Sequence, residues 1–341
     1  MELVAVTEES LNINNDINND IINSVKLSVQ IPLEHRGLRL DQALALCFPM
    51  HSRMRITQWI RAGQVSVDGV VIAPKIKVVG NEVVEINASV LPAQEDLAES
   101  IDLKVVFEDD QILIINKPAG LVVHPGAGNP TGTLLNALLH HAPILRQLPR
   151  GGIVHRLDKD TTGLMVVAKT LRAHTHLVAA LQRREIEREY VALIGNPMIA
   201  GGTIDAPMGR HPLQRIKMAV IASGKPAVTH YRCAKRYQGF TLLDIKLETG
   251  RTHQIRVHLS YKGLPIVGDA LYGWRHKVPP QSSLALQEAI RGFNRQALHA
   301  KRLTVPHPLT QEKMTWEAPL PADFADLIAL LAPPASQNLV K

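Results

Sequence analysis

Hydrophobic side chains near the start of the chain recur first at helical and then at strand spacing. Leu40 and Leu44 lie four residues apart and predict a helix that ends at Pro49. A second helix is predicted to begin at Ser52, whose side chain can cap it, and to stop near Gly63. The pattern therefore begins with two short helices.

Short apolar runs of strand length follow these helices. Residues 65–67 lead into Asp68-Gly69, which is typical of a two-residue hairpin turn. Further strands are predicted over residues 70–72 and 83–86. Two helices followed by a short sheet predict a small α+β module.

The remainder of the chain is dominated by apolar runs that do not alternate regularly with helices. Strands are predicted over residues 105–107, 112–115, 164–168, 187–194, 225–234, 240–247 and 313–316, and helices over residues 134–139 and 175–184. This order favours an α+β fold with a large mixed or antiparallel sheet over a doubly wound parallel sheet.

These elements divide the chain into five regions. They are a disordered tail over residues 1–24, the α+β module over residues 25–88, an acidic linker over residues 89–102, a larger domain over residues 103–332 and a loose tail over residues 333–341. The first tail is rich in Asn and Asp and has little to bury. The linker holds four acidic residues and no Lys or Arg, which predicts a solvated connection.

Charge is distributed unevenly over the 341 residues, whose formal net charge is +7. Residues 36–77 hold seven Lys or Arg and only two Asp. A small basic module is typical of a polyanion partner, with nucleic acid the first candidate and an ordinary solvated face the alternative. Its predicted phosphate contacts are Arg53, Arg55, Lys75 and Lys77.

Membrane, redox and zinc functions find no support in the sequence. It has no run of about 18 apolar residues and no N-terminal basic segment followed by an apolar one, so a soluble cytoplasmic protein without a membrane partner is expected. Cys47 and Cys233 have no CxxC partner.

Candidate chemistry concentrates in residues 152–169, where Asp158 lies among cations just before an apolar strand. A segment that feeds a buried strand is held in place while its side chains stay accessible. A carboxylate beside an arginine stays ionised at neutral pH and can act as a nucleophile or a base. Taken alone, the segment is equally compatible with a loop salt bridge.

Three other segments carry similar polar clusters. Tyr190 lies on a predicted strand, residues 250–258 hold two arginines and two histidines, and residues 268–273 form a turn bounded by glycines. The histidines at positions 124, 155, 211, 253 and 258 raise the alternative of a metal-dependent hydrolase. Because no HExxH or similar ligand spacing is present, no metal site is predicted.

Taken together, these motifs resemble the RNA pseudouridine synthases, in the branch whose members modify large-subunit ribosomal RNA and some tRNAs. The resemblance spans roughly residues 36–330 and rests mainly on residues 116–126, 152–170, 250–258 and 268–273. The N-terminal module is similar to an S4 RNA-binding domain, at Arg39-Leu40-Asp41, Ser52-Arg53 and residues 63–69.

The resemblance implies a role for each matching residue. Asp158 matches the catalytic aspartate, Tyr190 the tyrosine that stacks on the flipped base, and Arg256 the arginine that pairs with the carboxylate. The expected RNA contacts of the larger domain are His155, Arg156 and Arg251. Isomerisation of uridine needs neither redox chemistry nor phosphate energy, so no cofactor is expected.

The implied substrate is large-subunit (23S) ribosomal RNA, at a hairpin loop in free RNA or in an assembling subunit, and the implied enzyme is a monomer. Two alternatives stay open, namely the same reaction on tRNA and a non-catalytic RNA-binding factor in ribosome assembly. The joint presence of Asp158, Tyr190 and Arg256 favours an enzyme, because binding alone needs no aspartate beside RNA phosphates.

Overall fold

The computed structural model describes residues 23–49, 51, 53–73, 75–90, 97–126, 128–275, 278–280 and 282–332. The chain divides into an N-terminal unit that ends at Glu95 and a C-terminal unit that begins at Asp96. The predicted tail over residues 333–341, most of the tail over residues 1–24 and the predicted cap residue Ser52 lie outside the described residues.

In the N-terminal unit, an antiparallel sheet packs against two helices. The strands are β1 (Asn23–Gln30), β2 (Val65–Val67), β3 (Val70–Val71) and β4 (Val83–Val90), in the spatial order β1-β4-β2-β3, and the helices are α1 (Leu40–Cys47) and α2 (Arg53–Arg61). Leu44 of α1, Ile56 of α2 and Ile86 of β4 are fully buried in one apolar cluster. The helical and strand spacings therefore place their apolar faces in one core.

Strand β1 was not predicted, and β4 extends beyond its predicted bounds of residues 83–86. β1 begins at Asn23, inside the predicted tail, and its Val25, Leu27 and Val29 alternate with polar residues as a half-buried strand requires. β4 continues to Val90 because its last residues pair with the start of β1. The strand thus enters the region predicted as linker.

The C-terminal unit is built around a nine-stranded mixed sheet. Its strands are β5 (Val105–Glu108), β6 (Ile112–Lys117), β7 (Thr162–Ala168), β8 (Glu187–Ile194), β9 (Gly202–Asp205), β12 (Val228–Tyr237), β13 (Phe240–Leu247), β14 (Leu298–Pro306) and β15 (Lys313–Glu317), while β10 (Met208–Arg210) and β11 (Met218–Val220) form a separate hairpin. The main path runs β5-β6-β7-β14-β8-β13-β12-β9, and β15 pairs with β14. The predicted α+β fold with a large mixed sheet is confirmed.

Five helices pack around this sheet in the described residues. They are α3 (Leu134–His141), α4 (Leu171–Gln182), α5 (Gln254–Tyr261), α6 (Leu284–Gly292) and α7 (Ala322–Leu331). In β7, Met165 and Val167 enter one apolar cluster while Leu164 and Val166 enter another. Because successive side chains of a strand point to opposite faces, β7 is buried on both sides.

β14 lies between β7 and β8, although it follows them in the chain by more than a hundred residues. It pairs in parallel with the first residues of β7 and antiparallel with β8. Gly163, with φ of 115°, permits this close approach, since a Cβ atom there would lie 2.3 Å from the carbonyl oxygen of Ala300.

Several elements differ from the sequence-based expectations. Helix α4 begins at Leu171 rather than at residue 175, because the Thr170 side chain accepts a hydrogen bond from the Ala173 amide and caps the helix there. β12 begins at Val228, three residues later than predicted. The elements of the C-terminal unit that were not predicted include helices α5, α6 and α7 and strands β9, β10, β11 and β14.

The later part of the predicted linker packs on the C-terminal unit. Asn136 of α3 donates a hydrogen bond to the carbonyl oxygen of Leu97 at 2.7 Å, and the Glu99 amide donates to the Asn136 carbonyl at 3.0 Å. Ile101 and Leu103 pack against the main apolar cluster. A solvated linker over the whole of residues 89–102 is therefore wrong at both ends.

Candidate active site

Asp158 lies in the irregular segment that enters β7. The neighbouring Leu157 is buried at 4% exposure, and the Thr161 amide donates to the Asp158 carbonyl oxygen at 3.1 Å, which closes a short turn. The Asp158 side chain keeps 15% exposure. Its carboxylate is thus accessible while the backbone that carries it is fixed at both ends.

Arg256 of α5 is held between two carboxylates. Its Nε and Nη2 donate to Asp269 at 2.7 and 2.9 Å, and its Nη1 donates to Asp158 Oδ2 at 3.0 Å. Burial opposes the charged form, but the two carboxylates outweigh it and raise the pKa of Arg256 above its ordinary value. The arginine therefore presents a permanent positive charge to one oxygen of Asp158.

His253 and Tyr272 complete the surroundings of Asp158. His253 Nε2 lies 3.9 Å from Asp158 Oδ1, and His253 Nδ1 lies 2.7 Å from the Tyr272 hydroxyl. The Tyr272 ring also lies under Arg256, with 4.9 Å between the guanidinium carbon and the ring centroid. One tyrosine thus contacts both of the groups that face the carboxylate.

The backbone at His253 is unusual for a residue with a side chain. Its φ of 57° and ψ of 21° are in the left-handed region, just before the first turn of α5. This conformation costs a non-glycine residue roughly 1–2 kcal/mol, so the surrounding contacts must hold it. Such residues cluster at functional sites.

A cavity of about 570 Å³ opens above Asp158, a volume in the range of small-ligand sites. Tyr190 of β8 lines it and is 5% exposed, and burial raises the pKa of its hydroxyl, so the ring is neutral. Leu298 and Leu247 add apolar surface to the walls. The structure therefore brings the predicted Asp158, Tyr190 and Arg256 to one cavity.

The rim of the cavity is cationic. Its exposed arginines are Arg150, Arg156, Arg184 and Arg251, whereas Arg188 lies deeper and is 8% exposed. Arg156 and Arg251 are exposed, as the predicted phosphate contacts must be, and Arg184 pairs with Glu248. Exposed arginines around the accessible carboxylate of Asp158 suit a polyanionic substrate.

His155 lies beside the cavity but is neutral. Its Nε2 accepts a hydrogen bond from the Val166 amide of β7 at 3.1 Å, and burial, together with the charge of Arg188, lowers its pKa to about 3. Its Nδ1 is buried, with no hydrogen-bond partner among the described residues. The predicted RNA contact of His155 stays a prediction, and a neutral ring disfavours a charge contact with phosphate.

The predicted phosphate contacts of the N-terminal unit have different surroundings. Arg53 pairs with the buried Asp41 at 2.8 Å and keeps about half of its side chain exposed. Arg55 is half-buried on α2, whereas Lys75 and Lys77 are exposed. Their contacts with RNA stay predictions.

Lys117 is a site residue that the sequence analysis missed. It is 1% exposed at the end of β6, and its Nζ donates to the carbonyl oxygens of Pro118, Leu121 and Lys159 at 2.8 to 2.9 Å. It therefore ties the loop after β6 to the residue that follows Asp158. The sequence analysis gave Lys117 no role, although it falls in residues 116–126, one of the segments on which the family resemblance rests.

Asp269 is the second site residue that was missed, although its glycine-bounded turn was noticed. It is 2% exposed, and its Oδ1 also accepts from the Tyr272 amide at 3.3 Å. Close packing explains the glycine before it, since a Cβ atom on Gly268 would lie 1.9 Å from the Arg295 carbonyl oxygen.

The histidines that raised a metal-site alternative do not converge. His258 is fully buried and bonds to Thr229 and to the Ala206 carbonyl, and in the described part of the chain no group of three or more His, Cys, Asp or Glu side chains is arranged to hold a metal ion. Among the same residues, no helix combines the length and apolarity needed to cross a membrane.

Comparison with known proteins identifies the class to which this site belongs. Residues 111–261, which contain Asp158, Tyr190 and Arg256, match the family model described as RNA pseudouridylate synthase. The chain belongs to the RNA pseudouridine synthase family and is an isomerase that converts uridine in RNA to pseudouridine.

Individual relatives extend the likeness over most of the chain. It is 54% identical over 304 residues to the ribosomal large subunit pseudouridine synthase D of Pseudomonas aeruginosa, covering 89% of this chain and 95% of that protein. The protein of the same name from Escherichia coli K12 is 53% identical over 306 residues, covering 89% and 94%.

Solved structures support the fold. Human RNA pseudouridylate synthase domain containing 4 shares 26% identity at a TM-score of 0.52, covering 67% of this chain and 92% of that one. Human RNA pseudouridylate synthase domain containing 1, at 24% identity and a TM-score of 0.53, covers 69% and 90% and bears on the fold alone.

Proposed function

We propose that this pseudouridine synthase modifies specific uridines in large-subunit ribosomal RNA and that Asp158 is its catalytic carboxylate. The arrangement of Asp158 carries the proposal, because one oxygen is held by Arg256 and the carboxylate lines an open cavity. A carboxylate oriented in this way is ready to attack a bound nucleotide.

The substrate follows from the relatives. Proteins at 53–54% identity over 89% of the chain are named for the large ribosomal subunit, and the cationic rim suits any RNA. We propose a hairpin loop as the target, in free RNA or in an assembling subunit, since an unpaired uridine leaves its stack at the lowest cost. We propose that the enzyme acts as a monomer.

The chemistry divides among three side chains. The bond between C1′ and N1 of the nucleotide breaks, the uracil rotates, a bond between C1′ and C5 forms, and the hydrogen on C5 is lost while N1 gains one. Tyr190 provides a flat neutral face for the flipped base, and such stacking contributes about 1–3 kcal/mol. Arg256 keeps Asp158 ionised and oriented.

RNA contacts outside the cavity fall to Arg156 and Arg251 on the rim and to the basic face of the N-terminal unit. The exposed Arg156 lies two residues before Asp158, so it is suited to occupy the place that the flipped base leaves in the RNA. Arg53, Arg55, Lys75 and Lys77 would add phosphate contacts that are independent of sequence.

The test is tritium release from large-subunit ribosomal RNA labelled at uridine C5, because every isomerisation frees that hydrogen. Wild-type protein is expected to release tritium, and Asp158→Asn is expected to lose activity by about a thousandfold or more while binding RNA normally. Asp110→Asn, an exposed aspartate in the β5–β6 turn, is the matched control.

Three outcomes count against parts of the proposal. Activity in Asp158→Asn close to wild type would remove the catalytic assignment. Release from labelled tRNA, with none from ribosomal RNA or immature large subunits, would replace the substrate. Equal loss of activity and RNA binding in Asp158→Asn would contradict a purely chemical role for the carboxylate.

A further inference from the structure

The two oxygens of the Asp158 carboxylate have different neighbours. Oδ2 accepts a hydrogen bond from Arg256 at 3.0 Å. Oδ1 faces Nε2 of His253 at 3.9 Å, which is about 1 Å longer than an ordinary hydrogen bond. The position of the ring proton of His253 therefore decides whether Oδ1 meets a donor or a lone pair.

The contacts of Tyr272 favour one position for that proton. The Tyr272 hydroxyl accepts a hydrogen bond from the Met218 amide at 2.9 Å and lies 2.7 Å from His253 Nδ1. Since an amide can only donate, the hydroxyl proton is available for Nδ1, which then acts as the acceptor. A neutral imidazole that accepts at Nδ1 carries its proton on Nε2, the atom that faces Asp158.

The ring is neutral at physiological pH. Burial lowers the pKa of His253, and the charge of Arg256 acts in the same direction, while Asp158 and Asp269 oppose them. The left-handed backbone at His253 and the edge-to-face contact of its ring with Tyr272 hold the imidazole in this place. The backbone conformation and the contact with Tyr272 both restrict the position of the imidazole ring.

We propose that His253 is a positioning residue for Asp158, with Tyr272 imposing the tautomer whose Nε2 proton hydrogen-bonds to Oδ1 when substrate closes the site. The proposal rests on the proposed role of Asp158. Hydrogen bonds in unliganded active sites are often long and shorten in the complex. Arg256 and His253 would then hold one oxygen each, and the Tyr272 side chain contacts both.

Two substitutions of His253 separate its two nitrogens. His253→Gln keeps an amide donor at about the place of Nε2. His253→Asn keeps an acceptor near Nδ1, but its shorter side chain places no donor at the position of Nε2. Asparagine also tolerates the left-handed backbone well. His253→Gln is expected to keep kcat within about threefold of wild type. His253→Asn is expected to lose about tenfold or more in kcat with KM changed less than about twofold, because the contact acts on chemistry rather than on binding.

The tautomer itself is measured by nitrogen and carbon NMR on protein labelled in histidine, with the His253 signals assigned by their loss in His253→Asn. Wild type is expected to show the form protonated at Nε2. Tyr272→Phe removes the hydroxyl but keeps a ring under Arg256, and it is expected to raise the fraction protonated at Nδ1 and to lower kcat by a few fold. This readout does not depend on enzymatic activity.

The proposal is overturned by wild-type His253 protonated at Nδ1, or by His253→Asn as active as His253→Gln. If both variants fail to fold, as judged from their NMR spectra, the wild-type tautomer and Tyr272→Phe still decide it. If the proposed role of Asp158 is itself wrong, Asp158→Asn releases tritium like wild type. That result is distinct from a failure of the proposal about His253.

Discussion

The two units of this protein contain the same kind of ion-pair cluster with opposite stoichiometry. In the N-terminal unit, one carboxylate, Asp41, is shared by Arg39 and Arg53, which are 41% and 46% exposed while Asp41 is 4% exposed. In the C-terminal unit, one arginine, Arg256, is shared by Asp158 and Asp269. The first cluster has an excess positive charge and the second an excess negative charge.

The difference shows how one interaction can serve two purposes. A buried carboxylate fixes two arginines whose outer parts stay in water, which suits a surface that attracts phosphate. A buried arginine fixes two carboxylates, and the side chain of Asp269 is 1% exposed whereas that of Asp158 is 15% exposed. The more accessible carboxylate is the one available for chemistry, and the deeper one orients the arginine.

Replacing one arginine of each cluster by lysine should give the largest difference in activity between the two clusters. Arg256→Lys cannot make the bidentate pair with Asp269 and reach Asp158 at once, so we expect a loss of about 100-fold or more in the rate of tritium release. Arg53→Lys, the matched change, should keep the rate within about twofold, since Arg39 still pairs with Asp41. Comparable losses in the two variants would contradict the distinction.

Substitution of Lys117 tests whether the turn that carries Asp158 must be held in place by hydrogen bonds. Lys117→Met has a similar length but loses the hydrogen bonds to three carbonyl groups, so we expect a rate lower by about 10-fold or more. A buried carbonyl group left without its donor costs about 1–3 kcal/mol, while the buried amine no longer has to be desolvated. The free energy of unfolding in urea should therefore fall by about 1–3 kcal/mol. A variant that is destabilised but fully active would show that the lysine only supports the fold.

The pH dependence of stability examines the other cluster. Burial alone would raise the pKa of Asp41, but the hydrogen bonds and charges of Arg53 and Arg39 outweigh it and hold the pKa below its ordinary value. The folded pKa is thus below the unfolded one, so this stabilisation is full above about pH 4 and disappears as the pH falls through the folded pKa.

We therefore expect Asp41→Asn to weaken the N-terminal unit by about 1–3 kcal/mol at neutral pH and to reduce its further loss in acid. Hydrogen exchange of the α1 amides from pH 3 to 7 measures this unit separately. Asp68→Asn is the control, because Asp68 accepts a hydrogen bond from the Val83 amide and an asparagine can do the same. If the stability of Asp41→Asn depends on pH in the same way as that of wild type, a group other than Asp41 is responsible for the loss of stability in acid.

The smallest expected effect concerns RNA binding. Replacing the exposed Lys75 and Lys77 by Gln together should weaken binding a few fold and reduce the slope of log Kd against log salt by about 1.4 to 1.8, since each phosphate contact contributes about 0.7 to 0.9. Lys26→Gln, an exposed lysine on β1, controls for loss of charge alone. An unchanged slope would show that these lysines do not meet phosphate.

The sequence reveals local elements better than the pairs that make the site. β8 agrees with its predicted bounds, because its apolar and β-branched residues form a continuous run. α5 was missed because Gln254, Arg256 and His258 are buried polar residues, which interrupt the apolar stripe that marks a helix. The polar side chains that α5 contributes to the interior therefore obscure the pattern by which the helix would be predicted.

The pairing of Arg256 with Asp269 could not be read from spacing either. Thirteen residues separate them, and the contact depends on how the turn after α5 folds back. Asp158 and Arg256 are 98 residues apart, so only the resemblance to a family connected them before the structure did. Contacts between residues that are far apart along the chain cannot be predicted from local sequence patterns, however strong the contacts are.

The central place of β14 has a consequence for the biosynthesis of the enzyme. Synthesis proceeds from the N-terminus, and domains fold as their residues emerge. Strands β7 and β8 leave the ribosome long before β14, the strand that must lie between them. The turn that carries Asp158 therefore reaches its final setting only after β14 has been synthesised, so a chain that stops before β14 has the candidate nucleophile without a working site.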